Sequence, residues 1–214
     1  MLKKLVMIYS AAWRGLVVLF AVEISIVSAL RYVTGSEPAP PPILANAFAN
    51  PFLVIHVVGG VVALLVGPLQ FVGAIRTRWP AFHRATGYVF VAACAIGAPT
   101  GLLLALGTTA GPVAAVGFAM PALLWPAFTW FALRAAMERR FASHRDWMLR
   151  SWAMPSAAIT LRLMLPAAGL LGLDFFPAYR VISWAAWLVN LALVEYLIRR
   201  TRAPGRSYAR LATA

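Results

Sequence analysis

Six times along its length the chain offers an apolar run of about 20 residues, each long enough to cross roughly 30 Å of hydrocarbon. Nothing constrains its fold more. In a bilayer core every backbone N–H and C=O must find a partner inside the protein, so apolar runs of this length dictate α-helices. The spacing predicts spans at 13–32, 51–76, 84–106, 112–137, 146–171 and 178–199, in one bundle over residues 1–200. The expected fold is all-α, a polytopic transmembrane bundle. Residues 201–214 read as a basic cytoplasmic tail. The first run is too long for the apolar region of a signal peptide and contains Glu23. It reads as a first transmembrane helix, able to double as an uncleaved signal.

Charge then orients the spans. The net charge is +13, with 19 Lys and Arg against 6 Asp and Glu. In a soluble chain that excess would suggest nucleic acid, but here the positions decide otherwise. Lys3, Lys4, Arg14, Arg76, Arg78, Arg84, Arg134, Arg139, Arg140, Arg145, Arg150, Arg199, Arg200, Arg202, Arg206 and Arg210 fall on one side. Only Arg31 and Arg180 fall on the other, with Arg162 inside a span. The positive-inside rule places both termini in the cytoplasm, with no role for nucleic acid. The lone Cys94 excludes a disulfide framework and sites built on several thiolates.

Polar side chains inside the spans form two expected layers. Helix rise puts Arg162, His56 and Thr100 at similar depth in the outer half, with Glu23 nearer the middle. An isolated Arg at that depth costs several kcal/mol, so Arg162 should face the bundle and find an acceptor, Glu23 being the deep acid. The alternatives are a structural ion pair or a pocket for a ligand's polar group. The inner layer begins with "FHRATGY" (82–88) and "SHRDWMLRS" (143–151), two His-Arg pairs at the entrances of two outward-running spans. Gln70 and Tyr88 can join it. A basic loop, His-Arg and a Pro-bearing helix thus occur twice, a faint internal repeat. Two histidines on facing helices are the usual axial ligands of b-type haem. His83 and His144 would bind the iron, and Arg84, Arg145 and Arg150 the propionates. The alternative is an interfacial pair for lipid phosphate. No carboxylate or thiol stands at spacing for another metal.

Small residues line two spans, at His56, Gly60, Ala63, Gly67 and Gln70, and at His83, Gly87, Cys94, Gly97 and Gly101, where backbones could approach closely. The strings "IHVVGGVVALLVGPLQF", "HRATGYVFVAACAIGAPTGLLLALG" and "HRDWMLRSWAMPSAAITLRLMLP" carry a compound motif: H-x-x-x-G…G-P-x-Q-F, H-R-x-x-G-Y with a later A-P-x-G, and H-R-x-W-M-x-R-S…T-L-R. Over about residues 52–170 the chain resembles a bacterial family of multi-spanning membrane proteins of unknown function, departing from it at Trp152 and Pro155. The resemblance singles out the three histidines, Gln70, Arg84, Gly87, Arg145, Trp147, Arg150, Ser151 and Arg162, and implies no reaction.

Two functions suit these residues. One is electron transfer through b-type haem, exchanging electrons with a quinone. The other is a non-enzymatic bundle that binds lipid or a small hydrophobic ligand, or serves as an accessory subunit of a larger membrane complex. Solute transport is weaker, for lack of a clear doubled fold. The topology makes the first prediction: reporter fusions at Pro41 and at Arg206 should give opposite signals, and equal signals would end the N-in, C-in scheme.

Overall fold

A computed structural model describes residues 2–37 and 40–202, with side chains from Gly15 onward. It is helical throughout. The elements are α1 (Leu2–Tyr32), α2 (Pro41–Leu44), α3 (Ala49–Val66), a 3-10 turn (Pro68–Phe71), α4 (Gly73–Arg78), α5 (Pro80–Leu106), α6 (Pro112–Met137), α7 (Phe141–Leu170) and α8 (Phe175–Arg202). Six stretches are long and apolar enough to span a membrane: Gly15–Tyr32, Ala49–Phe71, Pro80–Leu106, Pro112–Met137, Phe141–Leu170 and Phe175–Arg202. The tail expected at 201–214 lies outside the described residues beyond Arg202.

One boundary differs from expectation. The second span was expected to run to 76, but its α-helix stops at Val66. Pro68 has no N–H to give to the preceding turn and its ring blocks a continuing α-helix. The chain tightens into the 3-10 turn, where the N–H of Gln70 reaches the Gly67 carbonyl at 3.0 Å. It then leaves as the short basic α4. The Pro-rich connection at 33–48 likewise holds the short α2.

Short turns make successive helices antiparallel. Glu138, Arg139 and Arg140 join α6 to α7, with Arg139 at φ +57°. Hydrogen bonds from Arg134 and then Arg140 hold the exposed Glu138 carboxyl below the usual carboxylate range. Gly172, at φ +69°, turns α7 into α8, a backbone region that favours glycine. The 33–48 connection folds onto the end of α5, where Asn46 Nδ2 donates to the Leu104 carbonyl at 2.7 Å. All the arginine-rich turns therefore gather at one end of the bundle, called the basic end below.

Packing is inverted relative to a soluble protein. Large apolar side chains such as Leu19, Ile96, Trp130 and Val181 point outward, while Ala63, Ala114, Ala132, Ala135, Ser151 and Ser183 are fully buried. With lipid as solvent, small residues allow close helix contact and large ones cover the outside. The tightest approach is between α3 and α5. A Cβ on Gly59 would stand 2.9 Å from the Gly97 Cα, closer than real Cβ atoms come. Gly60, the residue expected on this seam, has open space around it. The true stripe runs through His56, Gly59 and Ala63, still at helical spacing of three and four.

Kinks are repaired by side chains. Pro121 cannot donate to the Gly117 carbonyl one turn back. Trp187 Nε1 of α8 donates to that carbonyl instead, at 3.0 Å. In lipid an orphaned carbonyl costs several kcal/mol, so this bond both caps α6 and docks α8.

The glycine seam gives a prediction. Gly59→Ala should destabilise the bundle by about 1–3 kcal/mol, because backbone rather than a movable side chain meets the added methyl. Gly60→Ala should be neutral or slightly stabilising. Thermal unfolding of both variants in detergent checks the pair, and equal losses would contradict the seam.

Candidate functional site

The inner layer sits where the 3-10 turn crosses the start of α5. Gln70, buried, donates from Nε2 to Thr86 Oγ1 at 2.8 Å and lies at 3.5 Å from the His83 carbonyl. Gly87 keeps this contact open, since a Cβ there would stand 3.3 Å from Gln70 Oε1. Gln70 thus belongs with the basic end. The break at Pro68 is what turns it there.

His83 and His144 approach across α6. Both α5 and α7 pack extensively on α6. The two imidazoles lie close enough to act on each other electrostatically, with Arg76 and Arg84 also acting on His83. His144 Nδ1 is 2.9 Å from the Ala132 carbonyl of α6. A carbonyl only accepts, so Nδ1 must carry a proton, and in the neutral ring the lone pair is on Nε2. His83 Nδ1 is buried without a hydrogen-bond partner. Both rings are half-buried, Arg145 is half-buried and Arg84 is exposed. Neither Arg84 nor Arg145 is in an ion pair among the described residues. Tyr88, another candidate for this layer, is 70% exposed and points away.

Arg150 departs from its expected role. Its Nε and Nη2 fork onto both oxygens of Glu195 on α8, at 2.5 and 3.0 Å. Its guanidinium also stacks on Trp147, 4.5 Å from the ring centroid. A bidentate fork of this kind satisfies much of the planar cation, so the anion Arg150 faces is a side chain of the chain itself. Asp146 has a similar use. It is 1% exposed and takes Arg202 Nε of α8 on Oδ2 at 2.9 Å, while its Oδ1 is buried without a partner. The spacing of Asp146 and Arg150, four residues apart, suits a pair within α7. Both reach across to α8 instead.

Below them a buried polar chain links three helices. Thr129 Oγ1 lies 2.7 Å from Ser151 Oγ and donates to Cys94 Sγ at 3.4 Å. Trp152 packs edge-on to Phe71, with centroids 6.2 Å apart, and overlies Gly67, where no Cβ would fit. Its Nε1, like that of Trp125, is buried without a partner.

The second layer lies towards the other end. His56 Nδ1 is 2.8 Å from the Gly97 carbonyl, which also accepts Thr100 Oγ1 at 3.2 Å. Gly101 gives the ring its room, for a Cβ there would come 2.8 Å from it. Arg162 acts electrostatically on His56 and is itself acted on by Tyr32, Arg31, Tyr179 and Glu23. The structure therefore brings His56, Thr100 and Arg162 to one layer. Glu23 is not the acceptor expected for Arg162. Its side chain is exposed and forms no ion pair among the described residues. The buried stripe of α1 is Ala21, Ile24, Ser25 and Ser28. Glu23 sits roughly 200° around the helix from Ala21, on the opposite face. That small-residue stripe was the signal in the sequence. What Arg162 holds is a 3.3 Å bond from Nη1 to its own Ala158 carbonyl.

The family model described as "Predicted membrane protein (DUF2306)" matches residues 53–198, and the chain belongs to that family. No curated protein and no solved structure matches it.

The α7–α8 clamp makes the next prediction. Glu195→Ala leaves a partly buried guanidinium without its carboxylate and should cost about 1–3 kcal/mol. Replacing Arg150 and Glu195 together by Leu should cost less, because no charge is left unpaired. Thermal unfolding of the two variants decides it. A double variant worse than the single one would mean that Arg150 acts mainly through Trp147.

Proposed function

We propose that this member of the predicted membrane protein family carries one b-type haem near the basic end and exchanges electrons with a quinone. Its place would be the bacterial inner membrane, with both termini and the basic end cytoplasmic. The supporting observation is that His83 and His144 lie within electrostatic reach of each other, on two helices that both pack on α6. The donor chemistry fits. His144 is oriented through Nδ1 on the Ala132 carbonyl, which leaves Nε2 of the neutral ring to face a metal, as the other ring nitrogen of a metal-bound histidine commonly holds a carbonyl. His83 has a buried nitrogen with no protein partner. Haem supplies one-electron exchange when bound. The chain's part is to orient both rings and to neutralise propionates through Arg84 and Arg145. Arg150, held by Glu195, supports the wall rather than the propionates.

A second reading rests on the same end of α5. Trp79 and Phe82 are 61% and 49% exposed and border a shallow groove of about 590 Å³ with Arg78 and Arg84. Interfacial aromatics beside arginines are suited to anionic lipid headgroups. On this reading the chain is a lipid-binding bundle or an accessory subunit, and the histidines anchor its interface.

The spectrum of the protein, purified after expression with ample haem, separates the two. The haem reading predicts a sharp α-band on reduction by dithionite. His83→Ala and His144→Ala should each abolish it while the protein still inserts. His56→Ala should leave it, because His56 lies in the other layer. A colourless protein removes the redox reading and leaves the lipid one.

A further inference from the structure

The layer opposite the basic end holds two arginines that form no ion pair among the described residues, the exposed Glu23 acting on Arg162 only from a distance. The chain has six acidic residues. Glu138, Asp146 and Glu195 form ion pairs at the basic end. Glu23, Glu37 and Asp174 form none among the described residues, and all three are exposed. Arg31 and Arg162 are half-buried. Arg31 Nε is buried without a hydrogen-bond partner, and Arg162 holds the Ala158 carbonyl at 3.3 Å. Arg180, the other cation at this face, is already engaged, its Nε donating to the Ala110 carbonyl at 2.7 Å.

Guanidinium does not lose its proton in proteins, so it cannot escape this situation by neutralising itself. Ile24 of α1 and Ile159 of α7 share one packed cluster, which sets Arg31 and Arg162, about two turns and one turn farther along these helices, towards the same end. Two such cations repel each other unless an anion lies between them. The anion has a definable character. Arg162 lies 170 − 162 = 8 residues before the end of α7, roughly 12 Å down the helix. Beside it, Leu165, Ala168, Gly169, Leu173, Phe175 and Ala178 line an apolar cavity of about 100 Å³ between α7 and α8. Leu165 is three residues beyond Arg162, and Ala178 adjoins Tyr179, whose phenol is among the groups acting on Arg162. A charged group would meet the arginines, and only a few methylenes of an acyl chain would fill the cavity, the rest lying along the exposed apolar surface.

We propose that Arg31 and Arg162, with Tyr32 and Tyr179 beside them, bind the oxyanion of an amphiphile, a carboxylate or phosphate carrying an acyl chain. The site lies at the opposite end from the haem reading and does not depend on it. The test uses the full chain, purified in a neutral detergent, with thermal unfolding followed at fixed ionic strength. Three probes are added separately: oleate, phosphatidylglycerol and inorganic phosphate. At a hundredfold excess over Kd, oleate or phosphatidylglycerol should raise Tm by on the order of 5 °C. Inorganic phosphate should raise it far less. Arg31→Gln and Arg162→Gln should each lose the rise, and Arg180→Gln, the same loss of charge at the same face, should keep it. Should Arg162→Gln fail to fold, Arg31→Gln and the retention of oleate by the wild-type chain in native mass spectrometry carry the test. An equal rise with phosphate would overturn the amphiphile in favour of a soluble oxyanion. A rise with none of the probes, or an equal rise in Arg31→Gln, would overturn the site.

Discussion

Where Gly59 meets Gly97, α3 and α5 touch through backbone, and both polar layers take their geometry from that contact. Neither helix can slide or rotate without driving main chain into main chain. Three residues before Gly59, His56 is delivered to the Gly97 carbonyl. Nine residues after it, Pro68 ends the helix and the 3-10 turn lays Gln70 across the first turns of α5. One glycine pair therefore registers a histidine at one end and a glutamine at the other. In lipid, where apolar surface gives little reason for helices to associate, such close approach and the bonds it permits supply the specificity.

On the other side of the bundle, side chains take over from glycines. α7 packs against α6, α8, α3 and α1 and is the hub of the structure. Its links to α8 are polar: Asp146 to Arg202, Arg150 to Glu195, and Thr160 through Asn190 to Ser156. These bonds lie along one helix pair from the basic end towards the middle, with Trp187 capping α6 alongside. The spectroscopically testable pair, His83 and His144, stands at the junction of the two regimes. One ring belongs to the glycine-packed half and the other to the hydrogen-bonded half.

The six spans were legible because a run of about 20 apolar residues has one outcome in a bilayer. Depth was legible too, since rise per residue is fixed, and it placed His56, Thr100 and Arg162 in one layer. Pairing was not. Glu195 and Arg202 lie 45 and 56 residues from their partners, and no periodicity within α7 says which neighbour its polar residues will face. The misreading of Glu23 had a different cause. Depth alone made it the partner of Arg162, but the facing of α1 follows its smallest side chains, which put Glu23 outside. The break after Val66 was written in Gly67-Pro68 and was overridden by the apolar residues that follow it.

The two ends treat charge in different ways, and the physics of the solvent explains why both can exist. At the basic end, arginines meet carboxylates or reach the headgroup and water boundary, where a high dielectric weakens any imbalance. Arg180 at the far end is satisfied by a loop carbonyl. Among the described residues Arg31 and Arg162 meet no carboxylate, and Arg162 has only the 3.3 Å bond to its own Ala158 carbonyl. Their half-buried position lowers the screening between them, so the same +2 that would be trivial on a surface becomes a standing cost. A fold that keeps such a cost, while Glu23, Glu37 and Asp174 stay exposed and form no ion pair among the described residues, would gain from a counter-charge arriving from outside. The binding energy of that counter-charge then adds directly to the stability of the bundle, because it binds the folded chain and not the unfolded one.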